Sequence, residues 1–137
     1  MRFTQFQYRT FFALAMFGIT TLANSTEPPG GVAAQHYPDV LAAKVRSIGA
    51  ETFDFDVTVS SPYDTPQRYA DAFRAVGKDG VVYGERKLVH DHADEQPFTR
   101  DLYGVKIPHG VRTVVLQARD QKYGYGGKTV EVTLPGR

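Results

Sequence analysis

From residue 39 onward the chain alternates apolar and polar residues in short segments separated by turn residues. The clearest segment is Thr52–Ser60, where Phe53, Phe55, Val57 and Val59 fall on one side and Thr52, Asp54, Asp56, Thr58 and Ser60 on the other. Strict period-two alternation predicts a half-buried antiparallel strand; a helix would scatter the aspartates into the apolar stripe. The same pattern predicts strands over Val40–Ile48, Val81 to about Val89, Pro97 to about Tyr103, Arg112–Arg119 and Lys128–Leu134. In the last two, Val114, Leu116 and Ala118, and then Val130, Val132 and Leu134, face inward.

Tyr69–Val76 is ambiguous, because Tyr69-Ala70-Asp71-Ala72-Phe73-Arg74-Ala75 is rich enough in alanine to be a helix. The Lys78-Asp79-Gly80 turn that follows favours a strand closing a hairpin onto Val81-Val82-Tyr83. Seven strands at this spacing, without a helix, predict a two-sheet antiparallel sandwich.

The first 23 residues differ in kind. A basic stretch with Arg2 and Arg9 precedes the apolar run Phe11–Ile19, and small or polar residues follow from Thr20 to Ser25. This is the plan of a secretory signal, with cleavage expected after Ala23. The alternative, an uncleaved anchor, is disfavoured by the run's length, since a span needs about 20 apolar residues. Residues 24–38 contain Pro28-Pro29-Gly30-Gly31 and read as a flexible leader. Residues 39–137 then form one domain, expected in the periplasm or outside the cell.

Charge and cysteine content narrow the chemistry. The 16 basic and 15 acidic residues become 14 and 15 once Arg2 and Arg9 leave, a formal charge of −1. Such a domain has no electrostatic footprint for nucleic acid. With Cys at 0, a disulfide, a lipid-bearing thiol, a thiolate metal site and a thiol nucleophile are all excluded within this sequence.

Two segments remain as candidates for function. In Val89–Arg100, His90 and His92 would share a face if the strand ran through residue 92, and Glu95 or Asp94 could return from the turn. Two imidazoles and a carboxylate suit Zn²⁺ or Cu²⁺. The competing reading is a solvated polar turn, with Arg100 paired to Glu95 or Asp101. In Asp120–Gly127, Tyr123 and Tyr125 are expected on a glycine-rich loop, either as a binding surface or packed over the sandwich end. Asp54 and Asp56 lie on a flat strand face without the cleft a glycosidase needs. Gly-x-Ser-x-Gly is missing from the sequence.

Leu102–Asp120 resembles the E-to-F passage of fibronectin type III and related immunoglobulin-like domains, although Phe73 stands where many immunoglobulin domains carry Trp. The resemblance implies an all-β, immunoglobulin-like (fibronectin type III-like) β-sandwich. Over about residues 40–135 the chain is also similar to a family of small secreted bacterial proteins. That similarity rests on His92-x-x-Glu95-Gln96-Pro97-Phe98-Thr99-Arg100 and on Gly124-Tyr125-Gly126-Gly127-Lys128. It supports the domain limits and implies no activity. The expectation is a non-enzymatic binding or structural module, without a cofactor, whose partner is another periplasmic or envelope protein. The alternative is a Zn or Cu protein using His90, His92 and Glu95.

Overall fold

A computed structural model of the chain describes residues 34–137; the signal peptide expected at 1–23 and most of the leader lie outside the described residues. Seven strands follow in order: β1 (Asp39–Gly49), β2 (Thr52–Ser60), β3 (Ala70–Val76), β4 (Val82–Lys87), β5 (Phe98–Lys106), β6 (Thr113–Asp120) and β7 (Gly124–Thr133). They form two antiparallel sheets, β1-β2-β5 and β4-β3-β6-β7. The fold is the expected all-β sandwich. β4 lies beside β3 rather than on the three-stranded sheet, unlike the fourth strand of a constant-type immunoglobulin domain.

The alternation that predicted the strands also builds the core. Phe53, Phe55, Val57 and Val59 of β2 are fully buried, and they meet Phe73 and Ala75 of β3 and Val114, Leu116 and Ala118 of β6. Phe98, Leu102 and Val105 of β5 close one side and Leu134 closes an end. Tyr69–Ala75 is strand from Ala70, as the hairpin argument required. The turn after it is closed by the Gly77 amide donating to the Val81 carbonyl, with Gly80 in the left-handed region at φ 87°.

The structure departs from the sequence reading in four places, the first being β5, which runs on to Lys106 past the expected end at about Tyr103. β4 stops at Lys87, so it does not carry His90 and His92 on a common strand face. β7 starts at Gly124, so Tyr125 stands in a strand and only Tyr123 remains in the turn. Residues 35–38, expected in the leader, pack on the domain. The Gln35 side-chain amide donates to the carbonyls of Tyr37 and Ser60, and Arg68 donates to the His36 carbonyl.

At the opposite end, Arg137 donates to the carbonyls of Ala50, Ile107, Pro108 and Val111, with its guanidinium over the Phe53 ring. One cation thereby satisfies loop carbonyls that β-pairing leaves open.

Candidate functional site

The His90–Arg100 segment is built mainly from polar contacts to the β2–β3 loop. Asp64, 4% exposed, accepts the Ala70 amide on one oxygen and the His92 amide on the other, both at 3.0 Å. Gln96 accepts the Ser61 amide at 2.7 Å and donates to the His92 carbonyl at 3.0 Å. The Gln96–Pro97 peptide is cis. His92 lies flat on Phe98, with ring centroids 4.0 Å apart.

The structure brings the two histidines together but does not complete a ligand set. The His90 and His92 rings are 4.8 Å apart, tilted by 35°. Glu95 is paired with Arg100, and its Oε1 stays 3.8 Å from His92 Nε2, too far for a hydrogen bond. His92 Nδ1 is buried without a partner among the described residues. Burial, then the positive charges of Arg100 and His90, hold the His92 pKa below its ordinary value. Among the described residues, no three His, Cys, Asp or Glu side chains are grouped to hold a metal.

The glycine–tyrosine segment receives the incoming chain. A Cβ on Gly126 would lie 2.4 Å from the Tyr37 ring, and one on Gly127 would lie 2.3 Å from the Pro38 carbonyl oxygen. Gly127 also has a φ of 78°. Asp39 accepts the Lys128 amide and fastens the crossing. Tyr123 is 44% exposed and meets His36 and Tyr37 edge-on, with Arg68 over its ring.

Beneath it sits the fully buried Asp120, which accepts the Lys122 and Tyr123 amides and is paired with Arg68. Burial pushes the Asp120 pKa up, but the Tyr63 hydroxyl, these amides and Arg68 outweigh it, leaving the carboxyl below its usual range. Burial next to Asp120 pushes the Tyr63 hydroxyl up.

A third arrangement lies on the outer face of the four-stranded sheet. Tyr125 of β7 donates its hydroxyl to Glu85 of β4, so side chains from the two edge strands meet across β3 and β6. Arg74 of β3 stacks on the Tyr125 ring with its guanidinium carbon 3.6 Å from the centroid. Arg74 Nε donates to Gln117 Oε1 of β6 at 3.0 Å. The guanidinium plane is thus fixed by an aromatic face and by a neighbouring amide. Two hollows flank it. One, of about 350 Å³, is lined by Arg74, Gln117, Tyr125, Gly126, Gly127 and Thr129. The other, of about 460 Å³, continues along Val76, Lys78, Val115 and Glu131.

No family model and no solved structure matches the chain. The chain is 33% identical over 94 residues to a "Putative lipoprotein" of Halomicrobium mukohataei. The match covers 69% of this chain and 46% of that protein, so the chain spans about half the relative's length.

On the three-stranded sheet, Asp54 and Asp56 have a structural role. Arg46 bridges both, at 3.5 and 2.7 Å, and Asp54 also accepts the Gly104 amide. The sequence reading assigned no role to Asp64, Arg74 and Gln117, and named Gln96 and Asp120 only as parts of their segments. Its only available signals were polar residues beside Pro and Gly turns, and the placement of Arg74 and Gln117 on outward strand positions.

Proposed function

We propose that the chain is an extracytoplasmic, envelope-associated module with an immunoglobulin-like sandwich that binds a partner and performs no catalysis. The observation that carries this reading is the outer face of β4-β3-β6-β7. There Arg74 is held rigid by Tyr125 and Gln117 beside open hollows, an arrangement suited to recognition.

Likeness to a protein described as a lipoprotein supports the envelope location, together with the signal-like residues 1–23. No cysteine occurs in this sequence to carry a thiol-linked lipid. That relative's greater length supports a module that also serves within larger proteins. The three-plus-four strand arrangement supports the fibronectin type III-like assignment. Gln96, Gly126 and Gly127, which lie in the two motifs of the resemblance to small secreted proteins, each perform a packing or hydrogen-bonding task in this chain.

The alternative, Zn or Cu at His90, His92 and Glu95, has the paired histidine rings in its favour. Against it stand the commitment of Glu95 to Arg100 and the stacking of His92 on Phe98.

The test is made in cells producing the full chain with p-benzoylphenylalanine in place of Thr129 or of Thr58, which stands on the other sheet. The expected result is processing near Ala23, recovery outside the cytoplasm, and a slower-migrating photo-adduct from position 129 but not from 58. Unprocessed chain in the cytoplasm, or no adduct from either position, contradicts the reading.

A further inference from the structure

One end of the sandwich turns four backbone carbonyls onto a single side chain. Arg137 Nη1 donates to the Pro108 carbonyl and, at 3.1 Å, to the Val111 carbonyl. Its Nη2 donates to the Ile107 carbonyl at 2.9 Å and to the Ala50 carbonyl at 3.2 Å. Each Nη carries two hydrogens, so these bonds occupy all of them. The guanidinium carbon stands 5.0 Å from the centroid of the Phe53 ring, which is fully buried. Among the described residues no carboxylate lies within salt-bridge distance of Arg137. Neutral oxygens and an aromatic face hold the group, so the fit rests on the number and direction of its N–H donors.

The acceptors are placed by bonds that do not involve Arg137. The Ile107 amide donates to the Glu51 carbonyl, the His109 amide to the Glu51 carboxylate, and the Val111 amide to the Pro108 carbonyl. These fix the β1–β2 turn against the β5–β6 connection. The segment after β7 is anchored separately by Leu134, 1% exposed, whose amide donates to the Arg112 carbonyl. Shortening Arg137 therefore leaves a formed cage. Arg137 follows β7 of the four-stranded sheet, whereas Ala50 links β1 to β2 and Ile107 follows β5, all of the three-stranded sheet. The contact thus spans both sheets. An ammonium has three donors on one nitrogen and cannot serve four carbonyls that a guanidinium meets from two nitrogens.

We propose that the carbonyls of Ala50, Ile107, Pro108 and Val111, with the Phe53 ring, form a guanidinium-binding site. Arg137 fills it in cis as a clasp between the sheets, and the site accepts a guanidinium cation in trans when Arg137 is shortened.

The test compares the full chain as wild type, Arg137→Ala and Arg137→Lys. In wild type, ¹H–¹⁵N NMR at low temperature should resolve the Arg137 Nη hydrogens as separate signals, because bonds at both nitrogens hinder rotation. Arg137→Ala should lower the Tm by about 8 °C or more, and Arg137→Lys by at least half as much. Guanidinium chloride should bind Arg137→Ala with a Kd on the order of 10 mM. At about 100 mM it should raise that variant's Tm by about 6–11 °C relative to its effect on wild type, whose site is filled. The amides of Glu51, His109 and Val111 should shift in the same titration. Methylammonium chloride and sodium chloride should do neither. Should Arg137→Ala be unfolded at the outset, the same titration is read as recovery of the dispersed NMR spectrum.

The proposal is overturned if guanidinium neither raises the Tm of Arg137→Ala relative to wild type nor restores its fold. It is overturned equally if methylammonium or sodium acts as strongly, or if Arg137→Lys loses less than half of what Arg137→Ala loses. Averaged Arg137 Nη signals in wild type, as a freely rotating surface arginine gives, also overturn it.

Discussion

Asp64→Asn replaces one oxygen of a buried carboxylate by an NH₂ group and changes almost nothing in shape. In the folded protein both oxygens are used, one by the Ala70 amide and one by the His92 amide, each at 3.0 Å. An asparagine can accept from only one of them, and its own N–H must face the other. One hydrogen bond to a charged acceptor, worth about 1.5–3 kcal/mol, disappears, and a buried donor is left facing a donor. A loss of about 2–4 kcal/mol follows. For a domain of this size each 1 kcal/mol lowers the Tm by about 4–8 °C, so a drop of at least about 8 °C is expected. Asp94→Asn, at an exposed position of the same loop, should stay within about 0.5 kcal/mol of wild type. The assay is thermal and urea unfolding of the two full-length variants beside wild type. If Asp64→Asn shifts the midpoint no more than Asp94→Asn, the loop is not held by Asp64, and the structural account of His90–Arg100 is wrong.

Other consequences are equally open to measurement. Gly126→Ala drives a methyl group into the Tyr37 ring, so the 35–39 segment must lift; hydrogen exchange at the Lys128 amide, now bonded to Asp39, should accelerate, and stability should fall by about 1–3 kcal/mol. Because the folded-state pKa of His92 is lowered, the unfolded chain takes up a proton first as pH falls through about 6.5. Stability should therefore be full above that pH and decline below it. His92→Gln should remove this part of the slope, and an unchanged profile would show that His92 is not responsible. Zn²⁺ and Cu²⁺ are expected to leave the Tm unchanged; a rise that disappears in the His90→Ala, His92→Ala double variant would restore the metal reading.

The strands were legible because the core is two-sided and alternating. β2 was read to the residue, since its four inward positions are fully buried and its outward positions are polar. β7 was read too short because Gly124-Tyr125-Gly126-Gly127 presents no alternation. Gly126 and Gly127 are required by the Tyr37 ring and the Pro38 carbonyl, contacts from a segment about 90 positions earlier that no local pattern records. Those contacts also explain why residues 35–38, rich in polar residues and ending at proline, looked like leader.

The candidate sites were legible as residues but not as arrangements. His90 and His92 were noticed, yet Asp64, 28 positions before His92, decides how the loop sits. Tyr125 was noticed as well, but its partner Arg74 lies on β3 and became visible only through the sheet order. A single buried carboxylate in a loop looks, in sequence, the same as a solvated one.

The central claim is that the outer face of β4-β3-β6-β7 binds through Arg74, and in-cell crosslinking from position 129 tests it most directly when Arg74 is changed to Lys. The account predicts that the adduct disappears while the variant remains folded, its Tm within about 8 °C of wild type. An adduct that persists undiminished in Arg74→Lys, or that forms equally from position 58 on the opposite sheet, would contradict it.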